Sequence, residues 1–206
     1  MSISMTELGL YVFGLFVLFI TPGPVWVALV ARVLAGGFKQ AWPLTLGVAV
    51  GDIFWSVLAV MGMGWVASTF GGAMFALRIV AALFFLWLGW SLIRSGGAEI
   101  SKDGRLTRPG LWAGFLAGLV VIVSNPKAVL FYMGVLPGFF DLSNLTASDV
   151  LAIAIASFIV PLVGNLGLAY FVDRARRLLS SPKAIGRMNK SAGFLLIFVG
   201  VVIFFI

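Results

Sequence analysis

Long apolar runs separated by short polar segments dominate this chain. Six runs approach or exceed the roughly 20 residues that a helix needs to cross the hydrocarbon core of a bilayer. They lie at 8–31, 42–67, 73–93, 111–136, 150–172 and 191–206. The pattern predicts an all-α integral membrane protein with six transmembrane helices, and residues 1–206 are expected to form a single membrane domain.

Prolines interrupt two of these runs at matching depths. A Thr-Pro-Gly-Pro motif at 21–24 breaks the first run, and a Ser-Asn-Pro-Lys motif at 124–127 breaks the fourth. Proline removes a backbone donor and clashes with the preceding helical turn. Backbone groups freed within a membrane must find partners inside the protein or in a water-lined cavity. Paired breaks in corresponding segments of two halves indicate the substrate site of a transporter.

The basic residues follow alternate loops. The loops after the first, third and fifth runs carry 12 of the 14 Lys and Arg residues, whereas the other two loops carry none. The positive-inside rule therefore places these three loops in the cytoplasm and both termini outside. Anionic lipid head groups are the expected partners of the basic loops. Topology and lipid contacts together explain the net charge of +7, so no nucleic-acid partner is expected.

Three spans in each half give the halves opposite orientations. Residues 1–93 are predicted to form the first three-helix half, 94–110 a cytoplasmic linker, and 111–206 the second half. Because each half begins with its broken helix, the sequence predicts a 3+3 inverted repeat. This prediction rests on topology and break position.

Composition excludes most kinds of enzyme. The chain is 62% hydrophobic and 10% charged, whereas soluble domains average roughly 25% charged residues. Cysteine and histidine are both absent, which removes disulfides, thiolate redox chemistry and Cys/His metal sites. The sequence also lacks a Walker A loop, a dinucleotide fingerprint and an HExxH motif. Neither an enzymatic activity nor a cofactor or metal is expected.

Polar residues at membrane depth are the candidates for chemistry. Asp52 is the one acid deep within a predicted span, and it either carries protons during transport or pairs permanently with Lys127 as a structural ion pair. The half-helix after each break offers free N–H groups and a positive dipole end, which suit a carboxylate. The alternative is that the prolines only kink their helices. The candidate pathway residues are Thr21, Pro22, Gly23, Pro24, Asp52, Asn125, Pro126, Lys127, Tyr132 and Asn165.

Three of these candidates also have an ordinary structural explanation. Asn165 and Tyr132 either line the cavity or serve helix packing, and Lys127 either acts in transport or snorkels. Glycines spaced four residues apart, at 47 and 51 and at 110, 114 and 118, allow close helix approach.

Four motifs, in this order, resemble the LysE/RhtB family. They are Thr-Pro-Gly-Pro at 21–24, Gly-Val-Ala-Val-Gly-Asp at 47–52, Leu-Trp-Leu-Gly-Trp at 86–90 and Asn-Pro-Lys-Ala at 125–128. The resemblance covers nearly the whole chain. It implies a bacterial inner-membrane exporter of amino acids, of the lysine or homoserine/threonine type, or of related metabolites, driven by proton exchange. It also implies that both proline motifs and Asp52 belong to the pathway. One departure is Val25, where the family commonly has Asn, and this leaves the exact substrate open, with a less polar or a non-proteinogenic one as alternatives.

The sequence therefore predicts a secondary active exporter whose partners are a small amino-acid-like substrate and protons. One alternative is a membrane scaffold or assembly protein, in which Asp52 and both breaks would pack against protein without a cavity. Another is an exporter of a different small metabolite or ion. The substrate, and whether the protein forms a homo-oligomer, are left open.

Overall fold

The computed structural model describes residues 2–69, 73–94, 110–142 and 144–175, with isolated positions between 187 and 201. Within these residues all regular structure is helical. The predicted linker and the predicted sixth span lie largely outside the described residues. The α-helices are α1 Met5–Ile20, α2 Pro24–Gly36, α3 Phe38–Thr69, α4 Ala73–Arg94, α5 Leu111–Val123, α6 Pro126–Leu130 and α7 Ala147–Arg174.

Among the described residues, two helices contain a segment that is both long enough and apolar enough to cross a membrane by itself. The 32 residues of α3 and the 28 residues of α7 correspond to about 48 Å and about 42 Å at the usual helical rise, against a hydrocarbon core of about 30 Å. Their qualifying apolar segments are Phe38–Gly62 and Ala147–Arg174. The number of candidate spans in the described residues rises to four when each bent helix pair is one span. The chain is therefore a multi-pass membrane protein, and the full six-span arrangement stays a prediction.

Both helix breaks occur where the prolines predict them. The axes of α1 and α2 differ by 55°, and those of α5 and the helical segment that follows it differ by 51°. In each case a proline, Pro24 or Pro126, occupies the first position of the new helix, where its missing N–H would have had no helical partner. Gly23 and Asn125 precede them in extended conformation. The prolines thus begin the second half-helices.

The fourth predicted span does not continue as a regular α-helix. The short helix α6 is followed by a π-helical turn at Phe131–Val135 and a 3-10 turn at Leu136–Gly138. π-turns are rare and frequently occur at functional sites. The π-helical turn directs the buried side chain of Tyr132 toward α3.

Helices α3 and α5 pack with their backbones in contact. A Cβ atom added to Gly47 would lie 2.0 Å from the carbonyl oxygen of Phe115, and one added to Gly118 would lie 2.1 Å from that of Leu44. Real side chains cannot approach so closely, so only glycine fits at either position. The predicted close approach is confirmed for these glycines. This contact joins the first half of the chain to the second.

Arg32 and Lys39 are the basic residues that the sequence places in the loop after the first run, but they lie inside α2 and α3, so that placement was wrong. A single residue, Gly37, separates α2 from α3, and its φ of 75° favours glycine. The Arg32 side chain is fully buried. Its Nε donates to the carbonyl oxygen of Gln40 at 2.5 Å and its Nη2 to that of Gly110 at 3.0 Å. Arg32 therefore ties α2 to the beginnings of α3 and α5.

Candidate transport site

A small cavity lies between the two helix breaks and the middles of α3 and α7. About 30 Å³ is open to the centre of a water molecule, which is room for roughly two waters. The polar residues in its wall are Asp52, Asn125, Lys127 and Asn165. All four are buried. Four of the candidates chosen from sequence are thus brought together, from α3, the second break and α7.

Local side chains satisfy carbonyl groups around the first break. The hydroxyl of Thr21 donates to the carbonyl oxygen of Val17 at 2.8 Å, and the indole Nε1 of Trp26 donates to that of Phe19 at 2.6 Å. Carbonyls near the end of a helix lack intrahelical donors. Thr21 therefore stabilises the end of α1 and does not enter the cavity wall.

Lys127 reaches from the second break to the first. Its ammonium Nζ donates to the carbonyl oxygens of Leu18 and Thr21 at 2.9 Å and 2.7 Å. A Cβ atom on Gly23 would lie 3.3 Å from this nitrogen, so Gly23 leaves room for it. Two of the carbonyls freed at the first break are thus bound to the ammonium of Lys127.

Asp52 and Lys127 line the same cavity with different partners. The hydroxyl of Tyr132 donates to Oδ1 of Asp52 at 3.1 Å. This is the one hydrogen bond that Asp52 makes with the residues that the structure describes, and no direct ion pair joins it to Lys127 there. The permanent ion pair left open by the sequence is therefore not formed in this structure. Tyr132 bonds to Asp52 but is not itself one of the residues that line the cavity.

The residues of the proline motifs divide between the cavity and the outer surface. Asn125 caps the second half-helix, because its Oδ1 accepts the backbone N–H of Lys127 at 3.1 Å. Pro22 is buried, whereas Pro24 and Pro126 are both exposed. The side chains of Pro24 and Pro126 are thus not part of the cavity wall. They shape the site through the backbone.

Asn165 holds its amide in one orientation. It lies one turn after Pro161 in α7, and its Nδ2 donates to the carbonyl oxygen of that proline at 2.8 Å. Its Oδ1 is buried and has no hydrogen-bond partner among the described residues. The amide therefore leaves one acceptor without a partner in a residue of the cavity wall.

Sequence reasoning missed two polar residues close to this site. The hydroxyls of Tyr11 and Ser157 lie 2.6 Å apart, and Ser157 donates to the carbonyl oxygen of Ile153 at 2.7 Å. Tyr11 is fully buried and packs against Phe131 and Phe140, with ring centroids 6.3 Å and 5.3 Å away. A tyrosine and a serine within apolar runs were visible signals. Their pairing was not, because 146 positions separate them.

A buried polar cavity between two broken membrane helices is the arrangement typical of secondary transporters. Residues 16–205 match the family model described as LysE type translocator. The chain belongs to this family, which confirms the resemblance that its motifs carry. Members of the family are translocators, so the chain is not an enzyme.

Several relatives cover most of the chain. A membrane protein of Synechocystis sp. is 32% identical over 170 residues, which are 81% of this chain and 80% of the relative. The leucine efflux protein of Enterobacter sp. is 29% identical over 190 residues, 87% and 85% of the two chains. The homoserine/homoserine lactone efflux protein of Salmonella typhimurium is 24% identical over 188 residues, 88% and 87%. No solved structure matches the chain significantly.

Proposed function

We propose that this protein is a secondary active exporter of an amino acid or amino-acid derivative across the bacterial inner membrane, working by proton antiport. The observation that carries the proposal is the cavity, which is lined by a buried acid and lies against both helix breaks. A scaffold protein would need no such space beside Asp52. The efflux activities named for the relatives from Enterobacter and Salmonella support the same function.

The two ends of an amino acid require opposite partners when they leave water. Val25 and Trp26 line the cavity at the beginning of α2. The first helical hydrogen bond there is donated by Val27 to Gly23, so the N–H groups of Val25 and Trp26 precede it and lack a helical acceptor. With the positive dipole end of a 13-residue helix, they suit the carboxylate. Asp52 is the matching partner for the ammonium.

The remaining wall favours a substrate with an uncharged side chain. Its apolar part includes Leu15, Leu18, Val25, Val48 and Ile122. Asp52 and Lys127 are the charged residues in this wall, and Lys127 is already bound to carbonyls. A second charge on the substrate would therefore lack a partner. Leucine and homoserine, named for two relatives, both have uncharged side chains.

Antiport follows when one group binds the proton and the substrate in turn. Asp52 accepts either a proton or the ammonium of the substrate, and occupancy by one excludes the other. Room for roughly two waters does not admit leucine, which has nine non-hydrogen atoms, so the cavity must widen during transport. In the proposed cycle the two inverted halves rock about the cavity and expose it to each side in turn.

Everted membrane vesicles test this function directly, because their lumen corresponds to the outside of the cell. Vesicles that contain the protein are supplied with labelled amino acids, with and without an acidic lumen. We expect uptake of leucine or homoserine, stimulated by the acidic lumen and abolished by a protonophore. Uptake no greater than in vesicles without the protein, for every amino acid in the panel, would overturn the proposed function.

A further inference from the structure

The orientation of the Asn165 amide is fixed by its neighbour. Nδ2 lies 2.8 Å from the carbonyl oxygen of Pro161. The opposite orientation would place two acceptor oxygens against each other, because an amide oxygen and a backbone carbonyl both lack a hydrogen to donate. Oδ1 is therefore the end of the amide that remains free. The residue is 3% exposed and belongs to the cavity wall.

A buried acceptor without a donor is uncommon in native proteins. The described residues contain one other buried side-chain polar atom without a partner, the indole nitrogen Nε1 of Trp55. Trp55 does not belong to the cavity wall. Asn165 therefore differs from it in being a residue of the cavity wall.

The unused acceptors of the cavity wall come from α3 and α7, whereas its donors, the N–H groups of Val25 and Trp26 and the amide nitrogen of Asn125, lie at the two breaks. Asp52 in α3 uses Oδ1 to accept the hydrogen bond from Tyr132, and Asn165 in α7 offers Oδ1. The ammonium of Lys127 is already bound to the carbonyls of Leu18 and Thr21. A ligand group that meets both Asp52 and Asn165 must bring several N–H donors. An ammonium group has three, whereas a hydroxyl has one and a carboxylate has none.

We propose that Asn165 is a specificity-determining residue that binds, together with Asp52, the free ammonium group of the exported amino acid. The inference rests on the proposed function and adds which chemical group of the substrate the protein recognises. It makes a primary amine beside the carboxylate a requirement for transport. An α-hydroxy acid of the same shape satisfies only part of this requirement.

The test measures the KM of labelled L-leucine in everted vesicles for three variants. Asn165→Leu removes the acceptor while nearly keeping the volume, and should raise KM about 10- to 100-fold, the usual range for a hydrogen bond to a charged group. Asn165→Asp in its protonated form keeps both the bond to Pro161 and the free oxygen, and should lie within about threefold of the wild type. Trp55→Phe removes the other unpartnered buried atom and should leave KM unchanged.

Competition by 2-hydroxy-4-methylpentanoate, the hydroxy analogue of leucine, completes the test. The wild type should favour leucine over this analogue, and Asn165→Leu should lose most of that preference. An unchanged KM and preference in Asn165→Leu would overturn the inference and leave the proposed function standing. Equal damage by Asn165→Leu and Asn165→Asp would assign Asn165 a structural role and also overturn it. Wild-type vesicles that accumulate no amino acid would overturn the proposed function itself.

Discussion

Asp52 and Lys127 lie in the wall of one cavity, and different groups compensate for the burial of each side chain. A buried charge is costly unless other groups replace its water. Two backbone carbonyls do this for Lys127, and the hydroxyl of Tyr132 does so in part for Asp52. Lys127 is thus tied to the helix ends, whereas Asp52 keeps an oxygen for a ligand. Replacing each charge should therefore have different consequences.

Asp52→Asn should abolish accumulation driven by a pH gradient while leaving the protein folded. The amide has almost the same shape and still accepts the Tyr132 hydroxyl, but it cannot exchange a proton at ordinary pH. The measurement is leucine uptake into everted vesicles with and without an acidic lumen. Glu7→Gln is the matched control, since Glu7 caps the beginning of α1 and is not part of the cavity wall. Unchanged gradient dependence in Asp52→Asn would show that coupling lies elsewhere.

Lys127→Met should destabilise the protein as well as impair transport. It leaves the carbonyls of Leu18 and Thr21 without their donor, at a cost of about 1–3 kcal/mol for each buried group. The expected result is a lower melting temperature in detergent, relative to Lys39→Met, which removes an exposed lysine. Equal melting temperatures for these two variants would mean that the break does not depend on Lys127.

At the scale of helices, each break is a specified turn between two half-helices. An extended residue, then a proline at the first helical position, begins both α2 and α6. The sequence predicts the location of these breaks because proline acts on its own backbone and on the preceding turn. It does not predict the partners of the freed carbonyls. The donor for Leu18 is 109 positions away, and no local pattern encodes such a contact.

The contact between α3 and α5 depends on glycine. Gly118→Ala should force the backbones apart, because its Cβ would lie 2.1 Å from the carbonyl oxygen of Leu44. Overpacking of this kind costs about 1–3 kcal/mol, and thermal unfolding in detergent measures it. Gly167→Ala in α7 is the control, since nothing lies within 4 Å of the added atom. If both variants melt at the wild-type temperature, the two helices are not locked together at Gly118.

For the whole molecule, the sequence predicts the class of fold better than the interior of the site. Hydrophobic length and the absence of strand patterns are sufficient for a multi-pass helical protein. Polar residues at membrane depth are rare, so Asp52, Asn125 and Asn165 could be chosen from their position alone. Arg32 was misplaced because a one-residue connection at Gly37 leaves no loop for it. Basic residues indicate which side of the membrane a segment faces, but not whether that segment is a loop.

Hydrogen bonds join the two proposed halves at three levels. Tyr11 and Ser157 meet between the beginning of α1 and its break, Lys127 bonds across the two breaks, and Arg32 bonds to Gly110 at the opposite end. A cavity of about 30 Å³ open to the centre of a water molecule lies among these contacts. In the proposed cycle, the outer and inner contacts open in alternation.

The chain contains no cysteine, so a single introduced thiol can report access to the cavity without background. Val48→Cys places the thiol in the cavity wall, and Ala147→Cys places one at the exposed beginning of α7. The central measurement is the rate at which a membrane-impermeant maleimide labels each variant in intact cells and in everted vesicles, with and without leucine.

The account predicts that the thiol of Val48→Cys is labelled from both sides of the membrane and that leucine slows this labelling. Labelling of Ala147→Cys should occur from the outside alone and be indifferent to leucine. A Val48→Cys variant that exports leucine normally, but whose labelling rate does not change with leucine or that is labelled from neither side, would contradict transport through this cavity.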